Sequence, residues 1–448
     1  MASPAESSAQ SLRGKIDSRT ALVGVIGMGY VGLPLALACV EGGFGVLGFD
    51  NDQAKLDELA AGRSYLRHIP AHRLLAAAQG QRFRVTADLS RLAEPDVIAI
   101  CVPTPLTPRR EPDLGFVMAS AEAIRDALRP GQLVILESTT YPGTTDSLLR
   151  ETLEQSGWRA GTDFFLAFSP EREDPGCPQL AIGTTPRVVG GVEPTSGELA
   201  EAFYRAFVAT TIRVASARTA EASKLTENVF RAVNIALVNE LKIVYDRLGI
   251  DIWEVLDAAE SKPFGFMRFD PGPGWGGHCV PIDPFYLTWK ARSLGVETRF
   301  IELAGEVNLR MPDYVVEKLT AALANRGKVL RGSRILLLGM AYKRNVDDTR
   351  ESPAFEILAR LRERESLVSY HDPFIPVAGR VRRHPELAGM ASLELTPDNV
   401  AAQDAVVIVT DHDTVDYAMI ARTADLVIDT RGVMRKLALI QDGRVVQA

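Results

Sequence analysis

Short apolar runs alternate with helix-like stretches over the first 210 or so residues. The helix-like stretches include 53–61 and 116–128. This alternation predicts a parallel sheet whose strands are joined by crossover helices. The predicted buried strands are 22–26, 45–49, 97–102, 132–136, 164–168 and 188–192.

The pattern changes at Thr219, where a long helix is predicted to run to Leu248 and to end before Gly249. A Gly/Pro-rich loop and a second helical stretch over 285–326 follow. Strand signals resume at Arg334 with RILLLG, SLVSY, DAVVIVT and DLVIDT. The sequence therefore predicts an α/β protein of two Rossmann-like, doubly wound domains joined by a long central helix. The predicted segments are a disordered tail over 1–18, a first α/β domain over 19–212, a helical domain over 213–328 and a second α/β domain over 329–448.

Composition narrows the class of protein. The chain is 46% hydrophobic and 24% charged with a net charge of −7, and no long basic run stands out, so nucleic acid is not the expected partner. Four scattered cysteines favour a reducing, cytoplasmic location. The uncharged stretch 21–40 resembles a membrane span in length, but its glycines and Pro34 are unsuited to one, so we expect no membrane insertion.

A glycine motif follows the first predicted strand. Gly27, Gly29 and Gly32 form G-x-G-x-x-G at the start of a helix, and Asp50 ends the next strand. In dinucleotide sites such glycines allow a tight turn, close approach of the pyrophosphate and close helix packing. The acid accepts hydrogen bonds from the ribose and repels a 2′-phosphate, so the motif favours NAD over NADP. A glycine-rich turn without a ligand is the alternative. Further candidates at the carboxyl ends of strands are Thr104, Ser138 and Thr139.

A second motif is Gly272-Pro273-Gly274-Trp275-Gly276-Gly277-His278-Cys279, followed by Asp283. A cysteine after four glycines suggests a reactive thiol whose pKa neighbouring amides lower. The alternatives are a structural cysteine and a metal site; the metal site lacks a fourth ligand at the usual spacing, and we expect no metal. Cys39 and Cys101 lie in apolar runs and are expected in the core.

Polar residues elsewhere are weaker candidates. Lys224 and Asn228 lie four apart on one face of the long helix and form a possible donor pair for an oxyanion. Glu171 follows a strand and is a candidate base. Lys343 and Arg350 follow the first strand of the second α/β domain, where they could contact a phosphate. Ordinary solvated residues and a surface salt-bridge cluster are the alternatives.

Taken together, these motifs resemble the nucleotide-sugar 6-dehydrogenases, the UDP-glucose/UDP-N-acetylhexosamine dehydrogenase family. The resemblance runs from about Leu22 to the C-terminus and implies an NAD domain, a central helix at a homodimer interface and a UDP-sugar domain. The motifs are GMGYVGLP, VPTPL, ESTTYPGTT, SPER, KLTENVFRAVNIALVNE, GPGWGGHC with IDP, and YKRNVDDTRES.

The resemblance also implies a chemistry, in which NAD oxidises the C6 hydroxyl of a UDP-sugar twice, to a uronic acid for surface polysaccharide synthesis. Cys279 forms a thiohemiacetal and then a thioester, and Glu171 assists its hydrolysis. The implied catalytic residues are Cys279, Lys224, Asn228, Asp283, Glu171 and Thr139. The implied cofactor contacts are Gly27, Gly29, Tyr30, Val31, Gly32, Asp50, Pro103, Thr104, Ser138, Thr139 and Arg350. The implied substrate contacts are Glu171, Arg172, Lys224, Asn228, Gly274, Gly276 and Lys343.

Within the family, GGHCVPIDPFYL and SPERxxPG resemble the branch acting on UDP-N-acetylhexosamines, particularly UDP-N-acetylglucosamine. Members acting on UDP-glucose tend to carry a second Glu four positions after the first, where this chain has Pro175. UDP-glucose, UDP-N-acetylmannosamine and UDP-N-acetylgalactosamine remain alternative substrates. Two further classes remain open, a β-hydroxyacid dehydrogenase and a UDP-sugar glycosyltransferase. The number of NADH formed per substrate distinguishes the three classes. It is two for a nucleotide-sugar 6-dehydrogenase, one for a β-hydroxyacid dehydrogenase and none for a glycosyltransferase.

Overall fold

The computed structural model describes residues 4–66, 69–107, 109–172, 182–277, 280–439 and 443–448. The chain divides into two compact units. The first contains Met1–Glu227 and Phe285–Val296, and the second contains Asn228–Pro284 and Glu297–Ala448. Residues of the predicted helical domain, 213–328, are thus shared between the two units.

The first unit is built on a sheet of eight strands in the described residues, in the order β3-β2-β1-β4-β5-β6-β7-β8. The six strands predicted from apolar runs are all present. β3 and β8 were not predicted, because they are short and only partly buried. All neighbours are parallel except β6 and β7, which are antiparallel. The strands are β1 (Leu22–Ile26), β2 (Gly45–Phe49), β3 (Phe83–Thr86), β4 (Val97–Ile100), β5 (Leu133–Leu136), β6 (Phe165–Phe168), β7 (Arg187–Gly191) and β8 (Thr211–Arg213).

The second unit contains a five-stranded parallel sheet in the order β10-β9-β11-β12-β13, counted over the described residues. Two Rossmann-like sheets are therefore present, as predicted. The last strand was missed because its three residues are only partly buried. The strands are β9 (Arg334–Leu338), β10 (Leu367–His371), β11 (Ala405–Ile408), β12 (Val427–Asp429) and β13 (Val445–Gln447).

Helices cover both sheets and connect their strands. The predicted long helix is present as α8, whereas the predicted stretch 285–326 is two helices, α10 and α11, separated by a turn with Gly295 in the left-handed region (φ +73°). The helices are α1 (Pro4–Asp17), α2 (Gly32–Glu41), α3 (Gln53–Ala60), α4 (Ala71–Gln79), α5 (Gly115–Ala127), α6 (Arg150–Glu154), α7 (Pro194–Tyr204), α8 (Ala217–Leu248), α9 (Ile252–Glu260), α10 (Asp283–Ser293), α11 (Arg299–Ala324), α12 (Pro353–Glu363), α13 (Pro397–Ala401), α14 (Tyr417–Thr423) and α15 (Val433–Lys436).

The N-terminal segment corrects one prediction. Residues 1–18 were expected to be a disordered tail, but Pro4–Asp17 form α1. Leu12 and Ile16 lie four apart, and both are buried in the core of the first unit. Two apolar side chains on one face are enough to dock a helix that is otherwise polar.

The uncharged stretch 21–40 forms β1, the glycine turn and most of α2. Cys39 and Cys101 are buried in the same core, as predicted, and burial raises the pKa of both thiols well above the usual value. Among the described residues, none of the helices combines the length and the apolarity that crossing a bilayer requires.

Candidate active site

The glycine turn after β1 has the shape of a dinucleotide cradle. Gly27 has a φ of +91°, and a Cβ there would lie 2.5 Å from the Cys101 carbonyl oxygen. A Cβ on Gly32 would lie 1.8 Å from the Gly27 carbonyl oxygen, so both positions require glycine. Among the described residues, a Cβ on Gly29 would meet nothing within 4 Å. The turn is thus closed at the first and third glycines and open at the second, where a pyrophosphate approaches in sites of this kind.

The N-terminus of α2 completes the cradle. Val31 precedes the helix, and no side chain among the described residues caps it. Partial positive charge at such a helix end attracts phosphate. Tyr30 and Val31 are both half-buried beside this end.

Asp50 lies directly against the glycine turn. Its Oδ2 accepts a hydrogen bond from the Met28 N–H at 2.9 Å, and its Oδ1 accepts one from the Asp52 N–H at 3.0 Å. Lys55 Nζ is 3.6 Å from Oδ2. A carboxylate offers about four acceptor positions, so these contacts leave capacity for ribose hydroxyls. Burial, with the nearby Asp50 and Asp52, also raises the pKa of Tyr65, whose hydroxyl donates to the Met28 carbonyl.

Predicted cofactor residues also occupy the carboxyl ends of β4 and β5. Ser138 Oγ accepts from the Val102 N–H at 3.0 Å and lies 2.8 Å from the Val102 carbonyl oxygen, so it joins the two strand ends. Thr104 is buried, and its carbonyl accepts from the Tyr286 hydroxyl at 3.0 Å. Pro103 is exposed and Thr139 is half-buried. Cofactor contacts by these residues stay predictions.

The structure brings two predicted catalytic residues together in the first unit. Lys224 is buried on α8, its Nζ donates to the Glu171 carbonyl, and it lies 3.6 Å from Glu171 Oε2. Lys224 is therefore not an ordinary solvated helix lysine. Arg172, a predicted substrate contact, pairs with Glu227 and donates to the Pro186 carbonyl at 2.9 Å.

One turn further along α8, a second predicted pair is formed. Asn228 Nδ2 donates to Asp283 Oδ2 at 2.6 Å, and both side chains are buried. Asp283 is the first residue of α10. Its negative charge at the start of a helix is favourable because of the helix dipole.

The glycine loop before Cys279 packs on the loop that follows β9. The Gly277 N–H donates to the Arg350 carbonyl at 3.0 Å. A Cβ on Gly276 would lie 2.8 Å from Tyr342 Cβ, and one on Gly274 would lie 3.2 Å from the Asn308 carbonyl oxygen. These glycines therefore permit close packing of the loop on protein. His278, Cys279, Cys177 and Pro175 lie outside the described residues.

Arg350 and Lys343 belong to the same loop after β9. The Arg350 guanidinium forms a bidentate ion pair with the Asp348 carboxylate. Arg350 Nη2 lies 2.7 Å from Asp348 Oδ2, and Arg350 Nε lies 3.0 Å from Asp348 Oδ1. Lys343 is half-buried. The predicted contact of Arg350 with cofactor and that of Lys343 with substrate stay predictions.

The structure adds a cation that sequence reasoning missed. Arg431 follows β12, donates from Nε to the Val409 carbonyl at 2.7 Å, and lies against the glycine loop, where a Cβ on Gly272 would be 2.7 Å from its Nη1. Burial lowers the pKa of Arg431. Its position directly after the apolar run DLVIDT, at a strand's carboxyl end, was the signal that could have identified it.

The second unit repeats the turn-and-acid arrangement but closes it. Asp372 follows β10 as Asp50 follows β2, and its Oδ2 accepts from the Met340 and Ala341 N–H groups at 2.7 and 2.9 Å. Its Oδ1 accepts from Phe374, and His412 Nε2 lies 3.1 Å from Oδ2. Among the described residues, five donors face the two oxygens of the fully buried Asp372, whereas three face those of Asp50. Asp372 therefore has no acceptor position left for a ribose. The two Rossmann-like sheets thus share a fold without sharing a ligand site.

The cradle, its acid and the parallel sheet define an NAD-binding oxidoreductase of the Rossmann type. Comparison with protein families identifies three consecutive domains of the UDP-glucose/GDP-mannose dehydrogenase family: the NAD binding domain over 21–208, the central domain over 218–310 and the UDP binding domain over 336–436. The chain belongs to this NAD-dependent family. Family membership favours the dehydrogenase interpretation over a glycosyltransferase.

Individual relatives carry different substrate names. The chain is 38% identical to the UDP-N-acetyl-D-glucosamine 6-dehydrogenase of Pseudomonas aeruginosa, over 79% of this chain and 83% of that protein. It is 34% identical to an NDP-N-acetyl-D-galactosaminuronic acid dehydrogenase of Ralstonia nicotianae, over 93% and 97%. The solved UDP-D-ManNAc dehydrogenase of Pyrococcus horikoshii superimposes with a TM-score of 0.82 at 32% identity, covering 94% of this chain and 96% of that one.

Proposed function

We propose that this enzyme carries out the four-electron oxidation of the C6 hydroxyl of a UDP-N-acetylhexosamine, first of all UDP-N-acetylglucosamine, to the uronic acid. The observation that carries the proposal is the buried Lys224 held against Glu171 in the unit that contains the dinucleotide cradle. A simple alcohol dehydrogenase does not need a carboxylate beside its lysine. Hydrolysis of a thioester does need a group that activates water, and we propose that Glu171 is that group.

NAD supplies the hydride acceptor for both oxidations. Each substrate molecule consumes two NAD and one water and yields the carboxylate, two NADH and three protons. The Cys279 sulfur adds to the aldehyde carbon to form a thiohemiacetal, and oxidation of that adduct leaves a thioester. Water then bonds to the thioester carbon, the carbon–sulfur bond breaks, and the thiolate is restored. The nucleophile thereby divides one difficult oxidation into two easier ones.

The other side chains have distinct roles in this scheme. Lys224 and Asn228 donate to the C6 oxygen as it gains negative charge. Thr139 and Asp283 hold the water that takes part in proton transfer, and Glu171 activates water for hydrolysis. Lys343, Arg172 and the backbone at Gly274 and Gly276 bind the UDP-sugar.

The substrate proposal rests on the sequence and on the relatives together. The wording GGHCVPIDPFYL and the proline at 175 in place of a second Glu favour a UDP-N-acetylhexosamine over UDP-glucose. The relatives named above act, by their names, on N-acetylglucosamine, N-acetylgalactosaminuronic acid and N-acetylmannosamine derivatives. The N-acetylglucosamine relative shares 38% identity with this chain, which is why we place that epimer first.

We also propose that the enzyme is a homodimer. Four large apolar side chains on α8 are 47–64% exposed and lie along one stretch of the helix at spacings of seven, seven and four residues. Rows of this kind form helix–helix seams, and monomeric proteins rarely expose them. The side chains are Phe230, Leu237, Val244 and Leu248.

The decisive experiment measures NADH formed per UDP-sugar consumed across UDP-N-acetylglucosamine, UDP-N-acetylgalactosamine, UDP-N-acetylmannosamine and UDP-glucose. We expect two NADH per substrate and the highest kcat/KM for UDP-N-acetylglucosamine. One NADH per substrate would contradict the four-electron oxidation. A higher kcat/KM for UDP-glucose would contradict the substrate class, because a site built to pair an acetamide leaves polar groups unpaired with glucose.

The thiol is tested separately by Cys279→Ser and Glu171→Gln. A serine without an adjacent base is a far poorer nucleophile, so acid formation by Cys279→Ser should fall by several orders of magnitude. Glu171→Gln should accumulate a thioester that intact-protein mass spectrometry detects as an adduct, with none on Cys279→Ser. Near-normal acid formation by Cys279→Ser would refute the covalent mechanism.

A further inference from the structure

A buried charged network lies at the carboxyl ends of β5 and β6 and at the amino end of β7, which runs antiparallel to β6. Glu137 directly follows β5 and is 1% exposed, and Arg187 on β7 is 3% exposed. Arg187 Nη2 donates to Glu137 Oε2, and the Tyr204 hydroxyl donates to Glu137 Oε1. The Arg187 guanidinium carbon also lies 4.7 Å from the centre of the Tyr204 ring. Sequence reasoning assigned none of these residues a role.

The network connects to the candidate base through Ser169. Arg187 Nε donates to Ser169 Oγ at 3.0 Å, and Ser169 Oγ donates to the Val188 carbonyl at 2.8 Å. Ser169 directly follows β6 and stands two residues before Glu171, so its placement sets where the next peptide units run. The Glu171 carbonyl and carboxylate then meet Lys224 Nζ.

A gain in stability does not by itself explain why the protein has such a network. Replacing a buried ion pair by apolar side chains of similar size is often neutral or stabilising, because desolvation offsets the attraction. What a buried, fully bonded pair does supply is a fixed geometry. Glu137 itself is unsuited to act as a base, because both its oxygens already accept hydrogen bonds from Arg187 and Tyr204.

We propose that Arg187 is a positioning residue for thioester hydrolysis: its Glu137-neutralised guanidinium holds Ser169, and thereby sets Glu171 against Lys224. The proposal rests on the proposed function. In the step concerned, a water oxygen bonds to the thioester carbon while Glu171 accepts one water proton. The carbon–sulfur bond breaks, its electron pair leaves with sulfur as thiolate, and the acid product releases its proton to solvent.

The test uses two mild variants of the full-length enzyme. Arg187→Lys keeps a positive charge for Glu137 but cannot reach both Glu137 and Ser169, and Ser169→Ala removes only the hydroxyl link. Both variants should fold, and thermal unfolding checks this. If Arg187→Lys does not fold, Ser169→Ala alone is sufficient for the test. We measure kcat, KM for NAD and for the best UDP-sugar of the panel, and the fraction of Cys279 acylated at steady state.

We expect kcat to fall about 10- to 100-fold in both variants, the loss typical of a misplaced catalytic group. Both KM values should fall with kcat, so that kcat/KM changes little, because only the hydrolysis that follows acylation is slowed. The acylated fraction of Cys279 should rise, and the double variant should be no slower than the slower single variant, because both residues act through one link. Arg129→Lys is the matched control. Its guanidinium bonds Asp96 near the amino end of β4, and it should leave kcat and acylation unchanged.

Several results would overturn the positioning role. These are unchanged acylation, a rise in KM for NAD that matches the fall in kcat, multiplied effects in the double variant, or the same behaviour in Arg129→Lys. Glu171→Gln separates this failure from failure of the proposed function. An adduct on Glu171→Gln but not on Arg187→Lys or Ser169→Ala refutes only the positioning role, and an adduct on none of them refutes both.

Discussion

Asn228 donates a hydrogen bond to the carboxylate of Asp283 at 2.6 Å, although the two residues are 55 positions apart in the chain. Both side chains are buried, so the bond joins α8 to the first turn of α10 in a water-poor environment. Hydrogen bonds to charged groups in such places are stronger than those at the surface. We therefore expect the pair to contribute to the stability of the fold.

Asn228→Ala should lower the free energy of unfolding by about 1–3 kcal/mol, because the buried Asp283 carboxylate loses a donor. Asp283→Ala should cost a similar amount, and the double variant should cost less than the sum of the two. Urea unfolding of the four proteins measures this coupling. Strict additivity would show that the two side chains do not stabilise each other.

Removing the acid next to the glycine turn should weaken cofactor binding. Asp50→Ala should reduce the affinity for NAD by about 1–3 kcal/mol, roughly 5- to 150-fold in Kd, because ribose hydroxyls lose a charged acceptor. Calorimetric titration with NAD measures the change. Asp52→Ala is the control, since Asp52 caps α3 by accepting from the Ala54 and Lys55 N–H groups. If Asp50→Ala binds NAD like wild type, Asp50 is not the ribose anchor.

Two glycines of the turn after β1 have different surroundings and should respond differently to alanine. Gly32→Ala should cost more than about 3 kcal/mol of stability, because its Cβ would lie 1.8 Å from a backbone oxygen. Gly29→Ala should fold within about 0.5 kcal/mol of wild type, since a Cβ there would have no atom of the described part of the chain within 4 Å, its chain neighbours aside, and its φ is outside the left-handed region.

NAD affinity then tells the two roles apart. Gly29→Ala should bind NAD more weakly in spite of its intact fold, because its methyl group would occupy the open space of the cradle. Thermal unfolding and NAD titration of the same samples supply both measurements. Normal NAD affinity in Gly29→Ala would place the pyrophosphate elsewhere.

The acid before β4 should make stability depend on pH. Burial raises the pKa of Asp96, but hydrogen bonds from Lys15, Arg129 and the Leu22 N–H lower it by a larger amount. The pKa of Asp96 therefore lies below the usual value. A pKa lower in the folded than in the unfolded state stabilises the fold above the unfolded value of about 4, and this stabilisation is lost as pH falls through the folded value.

Asp96→Asn should therefore lower the free energy of unfolding at neutral pH by about 1–2 kcal/mol, allowing for two half-exposed partners. The difference from wild type should shrink as the pH is lowered below about 4. Chemical denaturation across this range measures it. Glu41→Gln, which breaks an exposed pair with Arg73, should change stability by less than about 0.5 kcal/mol. A difference for Asp96→Asn that stays constant with pH would contradict the assignment.

Local sequence was sufficient for much of the fold and for the cofactor cradle. Apolar runs, glycine positions and an acid at the end of a strand act through neighbours in the chain, so β1, the turn from Gly27 to Gly32 and Asp50 could be predicted together. The long helix α8 followed from the change of pattern at Thr219 and the stop at Gly249, and the spacing of Lys224 and Asn228 placed them on one face. Short strands such as β3 and β13 gave too few buried positions to be recognised.

What the sequence alone could not decide depends on partners far away in the chain. Leu12 and Ile16 make α1 a docked helix only because the core of the first unit accepts them. Asp50 and Asp372 follow similar strands, yet only Asp372 is closed off, because His412 and the amide of Phe374 bond to it. Arg187 and Glu137 are 50 residues apart, and burial makes their contact consequential. Periodicity and motif spacing record which face of an element is apolar, whereas the choice of long-range partner is decided by packing and desolvation in the folded chain.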